Sequence, residues 1–207
     1  MNIKPILFST QMVKAILEGR KTQTRRIIKP TSKKGCYGVQ VERDKTTGEV
    51  TNVTGYDEHE RTWDENGSQY PVNNKYKIGD ILWVRETWTQ NGIGYYRYKA
   101  DFKEGEGLFT GKQIPAKYRN KWKPSIYMPR EAARIFLNVT NVRVERLQDI
   151  TEEDAIAEGV ETLGLYPGYE ISAIGKFEGL WSNINGQESW NDNPFVWVYE
   201  IEKIEKK

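Results

Sequence analysis

Between Val13 and Lys34 the chain carries eight basic side chains (Lys14, Arg20, Lys21, Arg25, Arg26, Lys29, Lys33 and Lys34) against one acid, Glu18. Between Gln148 and Leu163 it carries six acids (Asp149, Glu152, Glu153, Asp154, Glu158 and Glu161) and no base. A fold that brings these two runs together builds a pocket of paired charges, not a plain basic face. Lys21 and Thr24, three apart in the basic run, are residue types that acyl transfer can use. A threonine hydroxyl is a poor nucleophile until a base takes its proton, and a lysine becomes such a base where desolvation or adjacent cations lower its pKa. Arg20, Arg25 and Arg26 supply the cations and also favour an anion or a developing oxyanion. The ordinary reading of the same residues is a helix cap at Gly19 and arginines that are solvated or paired with the acidic run.

The elements that must position them are readable in part. Pro5-Ile6-Leu7-Phe8 is a short apolar strand, and Ser9 or Thr10 caps a helix whose stripe is Met12, Val13, Ile16 and Leu17. Gly19 suits the left-handed residue after its last turn, so the basic cluster begins where a helix ends and runs on as extended chain. Ile81 to Trp88 begins with an unbroken apolar run, which predicts an interior strand buried on both faces. Ile135, Leu137 and Val139 alternate with their neighbours and Val142 and Val144 resume after a one-residue shift, which predicts a long bent or bulged strand over Arg134 to Leu147. Thr151 to Asp154 fits a helix-capping pattern, the helix stops at Gly159, and its acids at the N-terminus favour the helix dipole. Asn193 to Ile201 reads as a closing strand. Trp83, Trp88 and Trp197, all in these strands, read as core.

The 207 residues are 37% apolar and 29% charged, enough for one sizeable core and too apolar for disorder. A single domain over residues 1–207 is expected, with polar insertions at about 31–77 and 89–123 that read as flaps. With 31 Lys+Arg against 29 Asp+Glu, the net charge of +2 does not itself point to a polyanionic partner. One cysteine, Cys36, and one histidine, His59, exclude an intrachain disulfide and a Cys/His zinc cage. No metal and no cofactor is expected. The chain has no run of roughly 18 apolar residues and no signal-peptide pattern, so a cytoplasmic protein away from membranes is expected, its oligomeric state open. Few helices and several strands predict an α+β domain built on a compact mixed β-barrel.

Gly19-Arg20-Lys21-Thr22-Gln23-Thr24-Arg25-Arg26 resembles the G-x-K-x-x-T-x-R signature of the ASCH family, a branch of the PUA-like barrels, with Gly19, Lys21, Thr24 and Arg26 in its four positions. GDILWVRETW at Gly79–Trp88 is similar to that family's central strand, RVERLQDITEEDAIAEGV at Arg143–Val160 to the strand and helix after it, and NPFVWVYEIEKI to its last strand. Larger members, often carried by phages or prophages, have similar GDxLWVRETW and MPR strings, here Met128-Pro129-Arg130. The resemblance covers somewhat more than half the chain and leaves the insertions unexplained.

The resemblance implies a PUA-like (ASCH) mixed β-barrel with short flanking helices, and in small bacterial members it implies hydrolysis of N4-acetylcytidine by a metal-free Lys–Thr–Glu site. Carried over residue by residue, that site is Lys21, Thr24 and Glu158, with Thr24 attacking, Lys21 accepting its proton and Glu158 acting as acid. Glu158 competes with Glu152, Glu153 and Asp154, which lie within two turns. Arg20, Arg26, Arg85, Glu86 and Trp88 are the expected substrate-binding residues, around a modified nucleoside or RNA. Arg85 and Glu86 equally suit a structural ion pair. A second expectation is a non-catalytic RNA reader, in which the basic run meets phosphates and Tyr95, Tyr96, Tyr98 or Trp122 stacks on bases, although these aromatics also suit a hairpin packing on its own domain. A third is a phage-borne interaction module for a host factor.

Overall fold

The structure is a computed structural model that describes residues 2–29, 38–47, 49–57, 59–62, 68–70, 72, 74–90, 95–102, 121–161 and 172–205. Cys36, Lys33 and Lys34, and the insertion aromatics Phe109 and Tyr118, lie outside the described residues. In chain order the elements are β1 (Ile3–Leu7), α1 (Thr10–Leu17), β2 (Gln23–Ile27), β3 (Gly38–Arg43), β4 (Val50–Tyr56), β5 (Ile81–Arg85), β6 (Trp88–Gln90), β7 (Tyr96–Tyr98), β8 (Phe136–Arg146), α2 (Glu152–Ala157), α3 (Ala173–Asn185), α4 (Gln187–Asn191) and β9 (Phe195–Ile204). The fold is mixed α+β, mostly sheet. Among the described residues no helix is long and apolar enough to cross a membrane.

A five-stranded sheet in the order β1-β5-β8-β9-β2 carries the domain, with β1 and β5 parallel and the other pairs antiparallel. No backbone ladder joins β1 to β2, so the described residues form no closed barrel. The sheet nevertheless curls until its edges meet through side chains: Arg26 of β2 donates Nη2 to the Leu7 carbonyl of β1 at 3.0 Å. Lys21 and Arg26 both lie over the ring of Phe8, at 5.5 Å each. Inside the curl, Ile6, Leu82, Val84, Val139 and Tyr199 pack with Val13 and Ile16 of α1. On the outer face Val196 and Val198 pack with Phe177, Trp181 and Trp190 of α3 and α4. The alternation of β9 therefore feeds two cores, one on each face.

Several local expectations hold. Ser9 accepts from the Met12 N–H and starts α1, Thr151 accepts from the Asp154 N–H and starts α2, and Gly19 and Gly159 have φ of +76° and +89°. The register of β8 against β9 shifts between Val139 and Asn141, so the one-residue break in the sequence pattern is a bulge that bends this strand. Others need correction. Leu17 faces out at 38% exposure while Ala15 takes its place in the core. The strand from Ile81 is interior, between β1 and β8, but buries only Leu82 and Val84, leaving Ile81, Trp83 and Arg85 half-buried. Trp197, like Trp83, is half-buried, whereas Trp88 is core at 5% exposure.

Candidate functional site

The basic run reaches the acidic helix because α1 ends at Gly19 and the chain turns back along α2. The Lys21 N–H bonds to the Ala15 carbonyl at 3.1 Å and the Thr22 N–H to the Ala157 carbonyl at 2.8 Å. Gly159 makes that approach possible: a Cβ there would lie 2.8 Å from Ala15 Cβ and 2.9 Å from Lys21 Cβ. Lys21, its side chain wholly buried, donates Nζ to Glu158 Oε2 at 2.7 Å and to the Glu158 carbonyl at 2.8 Å. Of the four competing acids, Glu158 is the one on Lys21. Glu152 instead accepts from the Ala173 N–H at 2.7 Å and helps start α3. Burial holds the Lys21 ammonium below its usual pKa, opposed by the Glu158 carboxylate and assisted by Arg26 and Arg25.

Arg25 follows the ordinary reading of the arginines, paired with the acidic run, and ties this contact into a wider network. Its guanidinium reaches Glu158 Oε1 at 3.3 Å, Asp154 Oδ2 at 2.8 Å and Glu145 Oε2 at 3.1 Å. Arg143 of β8 meets Asp154 at 3.0 Å, Glu145, and Glu200 at 2.6 Å. Gln23 donates to Asp154 at 2.9 Å. Burial is the largest influence on the Asp154 carboxyl and acts upward, but the hydrogen bond from Gln23 and the charges of Arg25 and Arg143 together hold it below the ordinary range. Charges removed from water need such complete pairing, and the network fastens the edge strand β2 to α2 and β8.

Thr24, Arg26 and Glu158 line one small cleft beside this network, roofed by Met12 of α1 and by Phe177 and Trp181 of α3. Its volume is about 20 Å³. One water needs roughly 10–15 Å³, and small-molecule sites run to roughly 300–1,000 Å³. In this conformation the cleft has room for a water molecule and not for a nucleoside. The helix that closes it was absent from the sequence reading. Its signal was available: Ser172 caps it, accepting from the Gly175 N–H at 3.0 Å, and Ala173, Phe177, Leu180, Trp181 and Ile184 recur at helical spacing.

The remaining expected site residues lie elsewhere. Arg20 donates to Glu18 Oε2 at 2.9 Å and to the Gly159 carbonyl at 2.8 Å, and does not line the cleft. Glu86, 1% exposed, is held by Nε and Nη2 of Arg134 at 2.8 and 3.0 Å, a two-pronged ion pair inside the domain. Burial raises its carboxyl above the usual value despite that pair. Trp88 packs edge-on to Tyr96, 5.7 Å between ring centres, in a third apolar cluster with Met128 and Phe136. Arg85 donates to the Ile126 carbonyl and lies over Trp83 at 5.4 Å. Arg85, Glu86 and Trp88 thus belong to the β5 end of the sheet and not to the Thr24 cleft. Tyr98 donates to the Ala132 carbonyl at 2.7 Å and packs under Arg134, so it serves its own domain.

Among the described residues no three of His, Cys, Asp and Glu are grouped to hold a metal ion. Compared with family models, curated proteins and solved structures, the chain matches none of them. What the geometry itself offers is a desolvated lysine on a carboxylate, a buried threonine in the adjoining cleft, and arginines on both sides.

Proposed function

We propose that this chain is an ASCH-type, PUA-like protein directed at a nucleoside or RNA, and that Lys21, Thr24 and Glu158, at the cleft that Thr24 and Glu158 line, hydrolyse the amide of an N4-acylated cytidine. The observation that carries this reading is the 2.7 Å contact between the buried Lys21 ammonium and Glu158, beside a cleft that Thr24 lines. In the reaction Lys21, in its neutral form, takes the proton as Thr24 Oγ1 attacks the acyl carbon. Glu158 protonates the departing N4 amine, so cytidine leaves and the acyl group stays on Thr24 as an ester. Water then cleaves that ester, releasing the carboxylic acid and restoring the hydroxyl. Arg26 stabilises the oxyanion or orients the base. Lowering of the lysine pKa by burial supports its use as a base, and the carboxylate that pairs with it is placed to return a proton. The reading requires Phe177 and Trp181 to move aside when substrate enters.

The closed cleft favours a second reading, a non-catalytic RNA-binding domain in which the Lys21–Glu158 network is structural. The two are separated by incubating purified protein with N4-acetylcytidine and following cytidine by chromatography, beside Lys21→Ala and Thr24→Ala. Turnover that both substitutions abolish is expected, and full turnover in Lys21→Ala refutes the mechanism. A folded but inactive protein shifts the choice to RNA binding, whose affinity must then fall with salt as phosphate contacts release counterions.

A further inference from the structure

Most cations drawn into the packed parts of the described structure have a carboxylate: Lys4 has Asp80, Lys21 has Glu158, Arg134 has Glu86, and Arg25 and Arg143 share Asp154. Among the described residues, three cations where the edges of the curled sheet meet have none, two of them half-buried and one, Lys75, exposed. Arg26 bonds to the Leu7 carbonyl and lies over Phe8, Arg85 bonds to the Ile126 carbonyl and lies over Trp83, and Lys75 lies over the Tyr76 ring at 5.2 Å. These partners are carbonyls and aromatic faces, which orient a cation without neutralising it. The three are gathered by β1: Leu7, whose carbonyl holds Arg26, is the register partner of Arg85, and Lys4 of the same strand holds the Lys75 carbonyl at 2.8 Å. Burial and then the charges of Arg26, Arg85 and Lys4 hold the Lys75 ammonium below its usual pKa, as expected of cations crowded without a counter-ion. Among the described residues the buried Arg85 Nε also has no hydrogen-bond partner.

A groove of about 680 Å³ adjoins this cluster, between β4 and the inner face of β8 and β9, with Val53, Asn74, Lys77, Arg143, Val144 and Trp197 among its lining. Its size falls within the range of small-molecule sites. Two borders are shared: Trp197 is the register partner of Arg26, and Asn74 directly precedes Lys75. Trp197 is half-buried and lines the groove, so an aromatic wall stands next to the uncompensated cations. Bases stack on such walls while cations hold the backbone.

We propose that Arg26, Lys75 and Arg85 form a phosphate subsite and that the groove takes the attached base against Trp197, so that the ligand is a nucleotide phosphate, free or within an RNA strand, in preference to an uncharged nucleoside. This deepens and rests on the nucleoside- or RNA-directed reading above, and it does not require the Thr24 cleft to be catalytic.

Titration calorimetry on the full chain tests it with four probes: cytidine, cytidine 5′-monophosphate, a short single-stranded RNA, and inorganic phosphate, each against wild type, Lys75→Gln and Arg26→Gln. Lys75 is exposed, so its variant is expected to fold, and circular dichroism checks both. At low salt the monophosphate is expected to bind about tenfold more tightly than cytidine, the worth of one hydrogen bond to a charged group, and Lys75→Gln to remove that gain while leaving cytidine unchanged. An RNA that binds more tightly than the monophosphate, with a salt dependence reduced by about one counterion in Lys75→Gln, assigns the phosphate to a strand, and equal affinities assign it to a free nucleotide. Equal binding of cytidine and its monophosphate, or indifference of every phosphate-bearing probe to Lys75→Gln, overturns the subsite, even if N4-acetylcytidine is hydrolysed. Phosphate binding that Lys75→Gln abolishes, with no preference for either nucleotide probe, upholds the anion subsite and defeats the nucleoside-directed reading.

Discussion

Glu158→Gln removes the carboxylate that separates two buried cations. Lys21 and Arg25 have wholly buried side chains and Glu158 is 3% exposed, so water cannot replace the lost charge. Lys21 Nζ keeps the Glu158 carbonyl at 2.8 Å, and Arg25 keeps Asp154 and Glu145, so only the lysine loses its sole carboxylate. Removing one partner of a buried pair costs about 3–5 kcal/mol, and because Arg25 stays paired the lower end, about 3 kcal/mol, is expected. At roughly 2–4 °C per kcal/mol for a chain of this size, Tm falls by roughly 6–12 °C. Lys21→Met with Glu158→Gln removes both charges while keeping volume, and is expected to recover stability to within about 1.5 kcal/mol of wild type. Thermal and urea unfolding of the two single variants and the double variant give the coupling energy directly. Because the pair is desolvated, that coupling should survive high salt. A Glu158→Gln variant within about 1 kcal/mol of wild type, or a double variant worse than the sum of its singles, would refute the reasoning.

Two glycines separate conformation from contact. Gly19→Ala meets no atom within 4 Å and should cost about 1–2 kcal/mol for its positive φ alone, whereas Gly159→Ala carries the same strain and also presses on Ala15 and Lys21. Urea unfolding should therefore rank Gly159→Ala as the more damaging, and equal costs would show that the α1–α2 contact relaxes freely. Asp80 joins the start of β1 to the start of β5, accepting from Lys4 Nζ at 2.7 Å, Lys77 N at 3.0 Å and Asn2 N at 3.3 Å. The Lys4 hydrogen bond leads the influences that hold its carboxyl below the ordinary 3.8. Its contribution is present in full above that ordinary value and is lost as pH falls through the lower folded one, so Asp80→Asn should be less stable than wild type at neutral pH and the gap should close in acid. A gap that stays constant with pH would mean that the charge of Asp80 does no stabilising.

The local grammar of this chain was legible because it depends on near neighbours. Ser9 and Thr151 cap helices through N–H groups three residues on, Gly19 and Gly159 end them with positive φ, and the shifted alternation after Val139 is a bulge. The attraction between the basic run and the acidic helix was also visible as charge, and Glu158 was a named candidate. Which acid meets Lys21 was not, since four acids share two turns and only the packing of α2 on α1 at Gly159 selects among them. That Arg85, Glu86 and Trp88 do not line the Thr24 cleft followed the same limit: they share one sequence string, GDILWVRETW, and only the pairing of β5 and the packing around Arg134 and Tyr96 decide what each of them meets.

By itself the sequence determined the α+β character, the strand and cap positions, and a concentration of cations that had to meet acids or anions. Tertiary structure decided that the sheet curls without closing, that α3 roofs the cleft to the size of a water molecule, and that Arg26, Lys75 and Arg85 converge without a carboxylate. Those three outcomes depend on segments that strand order and helix packing bring together, and period and spacing along a chain carry no record of which distant neighbour will arrive.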